Sequence, residues 1–397
     1  MINFLARLIY LKYKPKIVVV SGTAGKSLTI NIIDGFLKEK QKVFATSYHK
    51  DHKKAIALTF LLEKEFNPLK NLLKAINLLI KNQIYPEFLI LEFGFENPKV
   101  VDYWLRVIKI DYLIITSIGR IPAFSEVFAG PQNIKRKKEE LVKNLKINGY
   151  LFLNNDDISC IELGEKYEGN KIYFGLSEDS NFKAKNIELI CDIESTPSIC
   201  GTSFEIESIF GKRKIFLRNL FGKGIIYSTL ASIAFLTNLG FGLEEICNHI
   251  EKYPGLKHRL NLIKSNKGYY ILDDSLHISE ASFWQAIDVF QKIPAKRKII
   301  VLGDCMNSGK YALDFHFEIG EALSKICDFI ITFGIRSKYT IDSAIGYGFN
   351  KEKTKHFFPN QHHELLHYLE NIIMPGDLIL ITGDKNLRLN KIVDFLL

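Results

Sequence analysis

One short stretch, residues 16–27, constrains the fold of this chain more than any other. Its apolar run Ile17–Val20 predicts a buried strand, and Leu28–Lys38 has the apolar spacing of a helix. Between them lies a glycine-rich turn that fits the pattern G-[TS]-x-G-K-[ST]. The longer pattern G-x-x-x-x-G-K-[ST] fails only at Val20, where its first glycine would stand.

The order strand, glycine-rich loop, Lys-Ser and helix is typical of a phosphate-binding loop. Backbone N–H groups at the helix N-terminus face the anion, the Lys26 ammonium reaches the outer phosphates, and the Ser27 hydroxyl can ligate Mg²⁺. The alternative is an ordinary strand-to-helix turn that happens to contain Gly-Lys-Ser. The candidate nucleotide-binding residues are Gly22, Thr23, Ala24, Gly25, Lys26 and Ser27.

Composition limits the class of protein. A length of 397 residues predicts two or three domains, and a net charge of +9 favours an anionic substrate or nucleotide. Nucleic acid is disfavoured because the chain has no Arg-rich tail and no basic-aromatic repeat. The six cysteines are scattered without a C-x-x-C pair, which predicts reduced thiols rather than a disulfide framework or a zinc site.

Two apolar stretches need an interpretation. Residues 1–14 carry no signal-peptide cleavage pattern and predict a short amphipathic helix, lying on the protein or on a membrane surface. Residues Gly224–Leu243 have no charge and are long enough to span a bilayer. Their Ser, Thr and Asn residues and the closing Gly-Phe-Gly favour a buried core helix instead.

Strands and helices alternate along both halves of the chain, which predicts an α/β protein. We expect a P-loop ATPase central domain with a parallel sheet and a Rossmann-like C-terminal α/β domain. The predicted segments are a helical extension at 1–15, an ATP-binding domain at 16–253 and a C-terminal domain at 254–397, with Pro254-Gly255 as the linker. Glu92 ends the strand at 88–92, where a carboxylate could help to hold Mg²⁺.

Several separated motifs resemble those of the Mur ligases, the ATP-dependent amide-forming enzymes of peptidoglycan precursor synthesis, and most closely the members that add D-alanyl-D-alanine. The motifs are the phosphate loop, Leu91-Glu92-Phe93-Gly94, Thr116-Ser117-Ile118-Gly119, the helix with Lys138, Gly149 to Asp157, Arg259, Asp274-Ser275-Leu276-His277, Val301-Leu302-Gly303-Asp304 with Gly309 and His316, and Thr382-Gly383-Asp384-Lys385. They occur in the family's order across residues 16–397.

The resemblance implies a role for each matching residue. Lys26 would act on the β- and γ-phosphates of ATP, and Ser27 and Glu92 would hold Mg²⁺. Lys138, if carbamylated, would become an anionic ligand of a second Mg²⁺. Arg259, Asp274 and His277 would reach the nucleotide, His277 as a further candidate catalytic residue.

Three departures from the family pattern concern the second metal, the adenine and the UDP-linked substrate. The family's metal-binding His falls on Phe124, so Glu126 becomes the nearest candidate carboxylate ligand. The H-N-x-x-N motif reads Gly224 to Ser228, and the N-terminal domain that grips the UDP-sugar is reduced to about 15 residues before Lys16.

The expected activity is ATP-dependent amide formation through an acyl phosphate. The expected substrates are a nucleotide-sugar peptide or other small molecule and an amine, with D-alanyl-D-alanine as the candidate. A cytoplasmic monomer without a transmembrane segment or nucleic-acid partner is expected. Two alternatives stay open: a ligase of the folate-polyglutamate or poly-γ-glutamate type, and a catalytically impaired family member that binds nucleotide.

Overall fold

The computed structural model of the protein describes residues 1–46, 52–94, 98–118, 131–192, 199–276, 278, 280–305 and 312–397. The helices in this part are α1 (Ile2–Tyr13), α2 (Lys26–Lys38), α3 (His52–Phe60), α4 (Pro68–Ile80), α5 (Pro98–Val107), α6 (Pro131–Lys143), α7 (Ile158–Glu165), α8 (Lys223–Asn238), α9 (Leu243–Ile250), α10 (Glu280–Lys292), α11 (Ala312–Ser324), α12 (Lys338–Gly346), α13 (His362–Ile372) and α14 (Leu389–Leu396).

The strands fall into two sheets. In chain order they are β1 (Lys16–Ser21), β2 (Val43–Ala45), β3 (Phe88–Phe93), β4 (Ile110–Ile115), β5 (Leu145–Asn154), β6 (Asn170–Gly175), β7 (Phe182–Asp192), β8 (Ile199–Ser208), β9 (Gly211–Arg218), β10 (Asn261–Lys264), β11 (Tyr270–Asp274), β12 (Arg297–Gly303), β13 (Phe329–Phe333), β14 (Thr354–Phe357) and β15 (Asp377–Thr382). The predicted α/β fold, with a large parallel sheet and a second sheet, is confirmed.

The chain forms two compact units. The first contains Met1–Ile187, Phe204–Ile215 and Gly224–Tyr253, and the second contains Glu188–Ser203, Phe216–Lys223 and Pro254–Leu397. The division into segments 1–15, 16–253 and 254–397 stays a prediction.

The first sheet places the ends of several strands at one edge. Its order is β2-β3-β1-β4-β5-β6-β7-β8-β9, and the pairs from β2 to β7 are parallel. In this register Ser21 pairs with Phe93 of β3 and with Ile115 of β4. The loops that follow these strands therefore meet beside the end of β1, as expected for a ligand-binding edge of a parallel sheet.

Helices bury the faces of this first sheet. Ala6 and Ile9 of α1 are fully buried in the same core cluster as Phe60 of α3 and Leu78 of α4. The helix predicted within Gly224–Leu243 is α8, and nearly all of its residues are buried, so its prediction as a core helix is confirmed. No helix in the described part of the chain is long and apolar enough to cross a membrane.

The second sheet has the order β10-β11-β15-β12-β13-β14, with only the β10–β11 pair antiparallel. Alternate residues of its central strands enter two different cores, because successive side chains of a strand point to opposite faces. Ile299 and Val301 of β12 pack with α13 and α14, whereas Ile300 and Leu302 pack with α10 and α11.

The segment that ends at residue 80 forms two helices, α3 and α4, because Pro68 lies in the first turn of α4 and the Asn67 side chain accepts from Lys70 N. One local expectation is wrong. Cys191 and Cys200, on the neighbouring strands β7 and β8, form a disulfide rather than free thiols. The other four cysteines are buried and are not part of a disulfide.

Candidate active site

The phosphate loop has a backbone that only glycine accommodates at two positions. Gly22 has φ +146° and Gly25 has φ +83°, in the region that L side chains rarely adopt. A Cβ atom on Gly22 would lie 2.1 Å from Thr116 Oγ1, and one on Gly25 would lie 2.8 Å from Ser228 Oγ. The loop is therefore held close to the residues after β4 and to the start of α8.

Hydrogen bonds to the segment after β4 fix the loop. The Thr23 N–H donates to Ser117 O at 2.9 Å, and Thr23 Oγ1 donates to Ile118 O at 2.7 Å. The Ala24 N–H donates to Ser117 Oγ at 3.2 Å. Thr116 Oγ1 donates to Ser21 O at 3.3 Å and also contacts Ala24 O. This network sets the loop's conformation from outside the loop itself.

Lys26, Ser27 and Glu92 come together as predicted from the sequence. Lys26 Nζ donates to Gly22 O at 2.9 Å, which keeps the ammonium over the loop. Ser27 Oγ, in the first turn of α2, lies 3.2 Å from Glu92 Oε2 at the end of β3. A hydroxyl and a carboxylate oxygen side by side are the ligands that Mg²⁺ prefers, so this pair fits that ion.

Lys138 of α6 is the most unusual charged group in this unit. It is only 1% exposed, and its amine donates to Ser117 O at 3.3 Å. Burial lowers the pKa of Lys138 to about 8, with Asp157 opposing the shift and the Lys26 charge adding to it. The Lys138 amine therefore contacts Ser117, the same residue that holds the phosphate loop. Near pH 8 the amine is neutral in a substantial fraction of the molecules.

Two residues of the Gly149 to Asp157 motif hold the segment after β4 in place. Asn154 Nδ2 donates to Thr116 O at 3.0 Å, and the Ile118 N–H donates to Asp157 Oδ2 at 2.6 Å. Asp157 Oδ1 also accepts from Ser159 N at the start of α7, at 3.0 Å. The sequence of this motif indicates no role for it, and its structural role is to position the residues that contact the loop.

In the second unit, Asp274 is a buried carboxyl at the end of β11. Thr382 Oγ1 donates to Asp274 Oδ2 at 3.5 Å, and Arg259 lies near enough to act on its charge. Burial raises the pKa of Asp274 to about 8, although Arg259 opposes the shift. Arg259 and Asp274 are thus neighbours, as the family motif order suggests, and their contact with nucleotide stays a prediction.

A histidine–aspartate contact that was not predicted from the sequence lies beside Asp274. His258 Nδ1 lies 2.7 Å from Asp273 Oδ2, and Ser275 Oγ donates to Asp273 Oδ1 at 2.6 Å. His258 has a positive φ of 61°, rare for a residue with a side chain. The sequence shows a histidine before β10 and an aspartate in β11, but it does not show that they touch. Their contact depends on the β10–β11 hairpin.

The Gly303-Asp304 and His316 motif is structural in this unit. Asp304 accepts backbone N–H bonds from Ile335, Arg336 and Ser337 at 2.7–3.0 Å, just before α12. His316 is fully buried against Thr340 Oγ1 at 3.0 Å, and burial lowers its pKa to about 4. These residues fix the start of α12 rather than offer groups for chemistry.

Some predicted site residues cannot be placed. His277 and Glu126, together with Phe124 and Gly309, lie outside the described residues. Within the described part, no three His, Cys, Asp or Glu side chains are grouped as a metal site. The Mg²⁺ assignment therefore depends on Ser27 and Glu92, with Lys138 as the other candidate ligand.

Comparison with known proteins places these motifs in one family. A model of the Mur ligase middle domain matches residues 20–236, and a model of the Mur ligase glutamate ligase domain matches residues 258–385. The UDP-N-acetylmuramoyl-tripeptide–D-alanyl-D-alanine ligase of Bacillus subtilis is 24% identical over 95% of this chain and 75% of that protein. The enzyme of the same name from Buchnera aphidicola (subspecies Baizongia pistaciae) is 25% identical over 96% of this chain and 75% of its own.

Solved structures share the fold. MurF from Acinetobacter baumannii superposes with a TM-score of 0.79 at 20% identity, covering 100% of this chain and 79% of that one. The MurF ligase of Thermotoga maritima in complex with ADP has a TM-score of 0.76 at 19% identity, and the match covers 100% of this chain and 83% of that one. The predicted resemblance is confirmed: this chain belongs to the Mur ligase family, whose members are ATP-dependent ligases.

Proposed function

We propose that this chain joins D-alanyl-D-alanine to the carboxylate of a UDP-muramoyl tripeptide at the expense of ATP. The observation that carries the substrate assignment is the match to ligases of that name over at least 95% of the chain. The contacts of Lys26, Ser27 and Glu92 support ATP use, because they gather a cation and two oxygen ligands at one helix N-terminus.

The reaction is an acyl transfer through an acyl phosphate, a mixed anhydride of the substrate carboxylate and phosphate. The substrate carboxylate attacks the γ-phosphorus of ATP, and the bond to ADP breaks to leave an acyl phosphate. The amine then attacks the acyl carbon, an amide forms, and inorganic phosphate leaves with the electron pair of the broken C–O bond. Such chemistry depends on positioning and charge neutralisation more than on covalent work by the protein.

The residues of the first unit divide these tasks. Backbone N–H groups of the phosphate loop and the Lys26 ammonium would bind the β- and γ-phosphates. Ser27 and Glu92 would hold Mg²⁺, which neutralises phosphate charge when bound. Lys138, once carbamylated, would be an anionic ligand of a second Mg²⁺, and Glu126 is a further candidate ligand.

Arg259, Asp274 and His277 are the other proposed nucleotide contacts. ATP and a nucleotide-linked substrate are both cytoplasmic, which supports a cytoplasmic location. The glutamate-adding and catalytically impaired alternatives both remain candidates. Glutamate should be included in any panel of amines, because residues 258–385 match a glutamate ligase domain.

Phosphate release by the purified chain tests the proposal. We expect release that requires ATP, UDP-muramoyl tripeptide and D-alanyl-D-alanine together, with the dipeptide found in the product by mass spectrometry. Lys26→Ala should abolish it, whereas Lys38→Ala, an exposed lysine on the same helix that pairs with Asp34, should not. Phosphate release that requires glutamate would support the alternative ligase. If no amine leads to phosphate release, a binding role would be supported instead.

A further inference from the structure

Helices α1 and α4 present an apolar surface to solvent on the side away from the core. On α4 the exposed residues recur at helical spacing, and their exposure runs from 40% at Ile76 to 77% at Ile80. The exposed apolar side chains of the two helices, here called the α1–α4 face, are Phe4, Leu11, Leu69, Leu73, Ile76 and Ile80. Because α4 also buries Ala75 and Leu78, it is apolar on two sides.

Specific contacts join the two helices into one surface. Lys12 Nζ donates to Leu78 O at 3.0 Å and to Lys81 O at 2.9 Å, and Tyr13 OH donates to Leu78 O at 2.8 Å. The Tyr13 ring also stacks on Tyr85 with the centroids 4.3 Å apart. A cationic side chain on the last carbonyls of a helix stabilises that end. The C-terminal ends of α1 and α4 therefore lie side by side.

The α1–α4 face is also strongly basic. Neither residues 1–16 nor residues 66–86 contain an Asp or a Glu. The basic side chains of the two helices and their ends are Arg7, Lys12, Lys14, Lys70, Lys74 and Lys81. Lys70 is paired, with Glu63 at 2.8 Å, and its side chain is still 65% exposed. An apolar stripe flanked by lysines is the pattern of a helix that lies in the plane of a membrane surface.

We propose that the α1–α4 face docks on a bilayer that contains anionic phospholipid. The apolar side chains would enter the boundary between headgroups and acyl chains, and basic side chains such as Lys74 and Lys81 would contact the phosphates. Lys12 would not, because its amine already donates to carbonyl oxygens at the end of α4. A second copy of the chain fits less well, because a two-fold interface would set the same basic residues against one another. A nucleic acid would satisfy the charges but leave the apolar stripe in water.

Vesicle flotation with the full chain tests this proposal. We expect the chain to float with vesicles of phosphatidylcholine and phosphatidylglycerol, less so as salt is added, and at least about tenfold less with phosphatidylcholine alone. Leu73→Gln combined with Ile80→Gln should weaken flotation by about tenfold, because both side chains leave the apolar phase. The matched control is Ile147→Gln, since Ile147 is 95% exposed and lies outside the α1–α4 face.

Charge is tested separately. Lys74→Gln combined with Lys81→Gln should weaken flotation by about thirtyfold at low salt, since each lysine near an anionic surface contributes about 1 kcal/mol and about 1.4 kcal/mol is a tenfold change. Lys351→Gln combined with Lys355→Gln removes the same net charge from the second unit and should leave flotation unchanged. If the chain fails to float at low salt, or if the face variants float like the wild type, the proposal is wrong.

Self-association is measured on the same proteins. A stable dimer without lipid that Leu73→Gln with Ile80→Gln abolishes would assign the face to a second copy and overturn the proposal. The proposal is independent of the ligase assignment, because phosphate release without lipid should be equal in the wild type and the face variants. If the wild type has no ligase activity, flotation would still support docking of the α1–α4 face on the bilayer.

Discussion

The Lys138 amine lies 3.3 Å from the carbonyl oxygen of Ser117. The hydroxyl of Ser117 accepts the Ala24 N–H at 3.2 Å, so one residue joins the buried lysine to the phosphate loop. A change in the charge of Lys138 therefore acts on a group that directly contacts the loop.

Lys138 should react with carbon dioxide more readily than an ordinary lysine. Only a neutral amine forms a carbamate, and burial lowers the pKa of Lys138 from 10.5 to about 8. With ¹³C-bicarbonate, we expect a carbamate NMR signal that grows as pH rises through about 8. Lys138→Ala should remove the signal and Lys137→Ala should not, because Lys137 is paired with Asp102 at 2.7 Å. Full ligase activity without any carbamate signal would contradict this prediction.

The same burial should reduce stability at neutral pH. Below pH 8 the folded protein buries a charged ammonium, and between about 8 and 10.5 the unfolded chain holds a proton that the folded chain has lost. Stability contributed by this residue should therefore rise with pH through that window. Without bicarbonate, Lys138→Met should raise the free energy of unfolding at neutral pH by roughly 1–3 kcal/mol and flatten this rise, measured by denaturant titration. If the free energy of unfolding of Lys138→Met depends on pH as that of the wild type does, this prediction is wrong.

Gly25→Ala should damage both the loop and the fold. The added methyl would sit at φ +83° and 2.8 Å from Ser228 Oγ, so either the backbone or α8 must move. We expect a loss of about 1–2 kcal/mol in the free energy of unfolding and loss of ATP-dependent phosphate release. Gly346→Ala is the control, because its Cβ would meet nothing within 4 Å. Equal behaviour of the two variants would argue against a constrained loop.

Glu92→Gln should weaken the use of Mg²⁺ without unfolding the protein. The amide can still contact Ser27 Oγ, now 3.2 Å from the carboxylate, but it has lost the charge that attracts the cation. We expect the Mg²⁺ concentration for half-maximal phosphate release to rise at least about tenfold. Glu87→Gln, just before the same strand and paired with Lys16, should leave it unchanged. An unchanged Mg²⁺ dependence would remove Glu92 from the metal site.

Asp274 should make stability fall as pH rises. Burial raises the pKa of Asp274 from 3.8 to about 8, so between these values the folded protein holds a proton that the unfolded chain has released. Its contribution is therefore complete below about pH 4 and is lost progressively as pH rises toward about 8. Asp274→Asn should abolish that slope in thermal unfolding, whereas the exposed Asp288→Asn should not. A slope that persists in Asp274→Asn would contradict the assignment.

The sequence predicted those elements whose pattern is local. The buried strands β1, β3 and β12 each contain an unbroken run of four apolar residues, and the phosphate loop is recognisable from six residues. Strand β14 was not predicted, because its sequence Thr-Lys-His-Phe at the sheet edge has only one buried residue. An edge strand of this kind needs no apolar run, and only its pairing with β13 makes it a strand.

Contacts between distant residues were beyond sequence reasoning. Lys138 was predicted as a site residue from the family motif, but its burial and its bond to Ser117, 21 residues earlier, depend on how α6 packs. The His258–Asp273 pair likewise arises only when β10 and β11 form a hairpin. Asp304 was expected among functional motifs, yet its carboxylate accepts bonds from backbone residues about 30 positions later.

Ser228 Oγ donates to the carbonyl oxygen of Gly25, and the two residues are 203 positions apart in the chain. On a ribosome, the phosphate loop emerges early, whereas the serine that packs against it emerges only with α8. A partly synthesised chain thus has every residue of the Gly-Lys-Ser loop and its partners after β4, but not this contact from α8. The full set of contacts around the loop accordingly forms only after nearly the whole first unit has been synthesised.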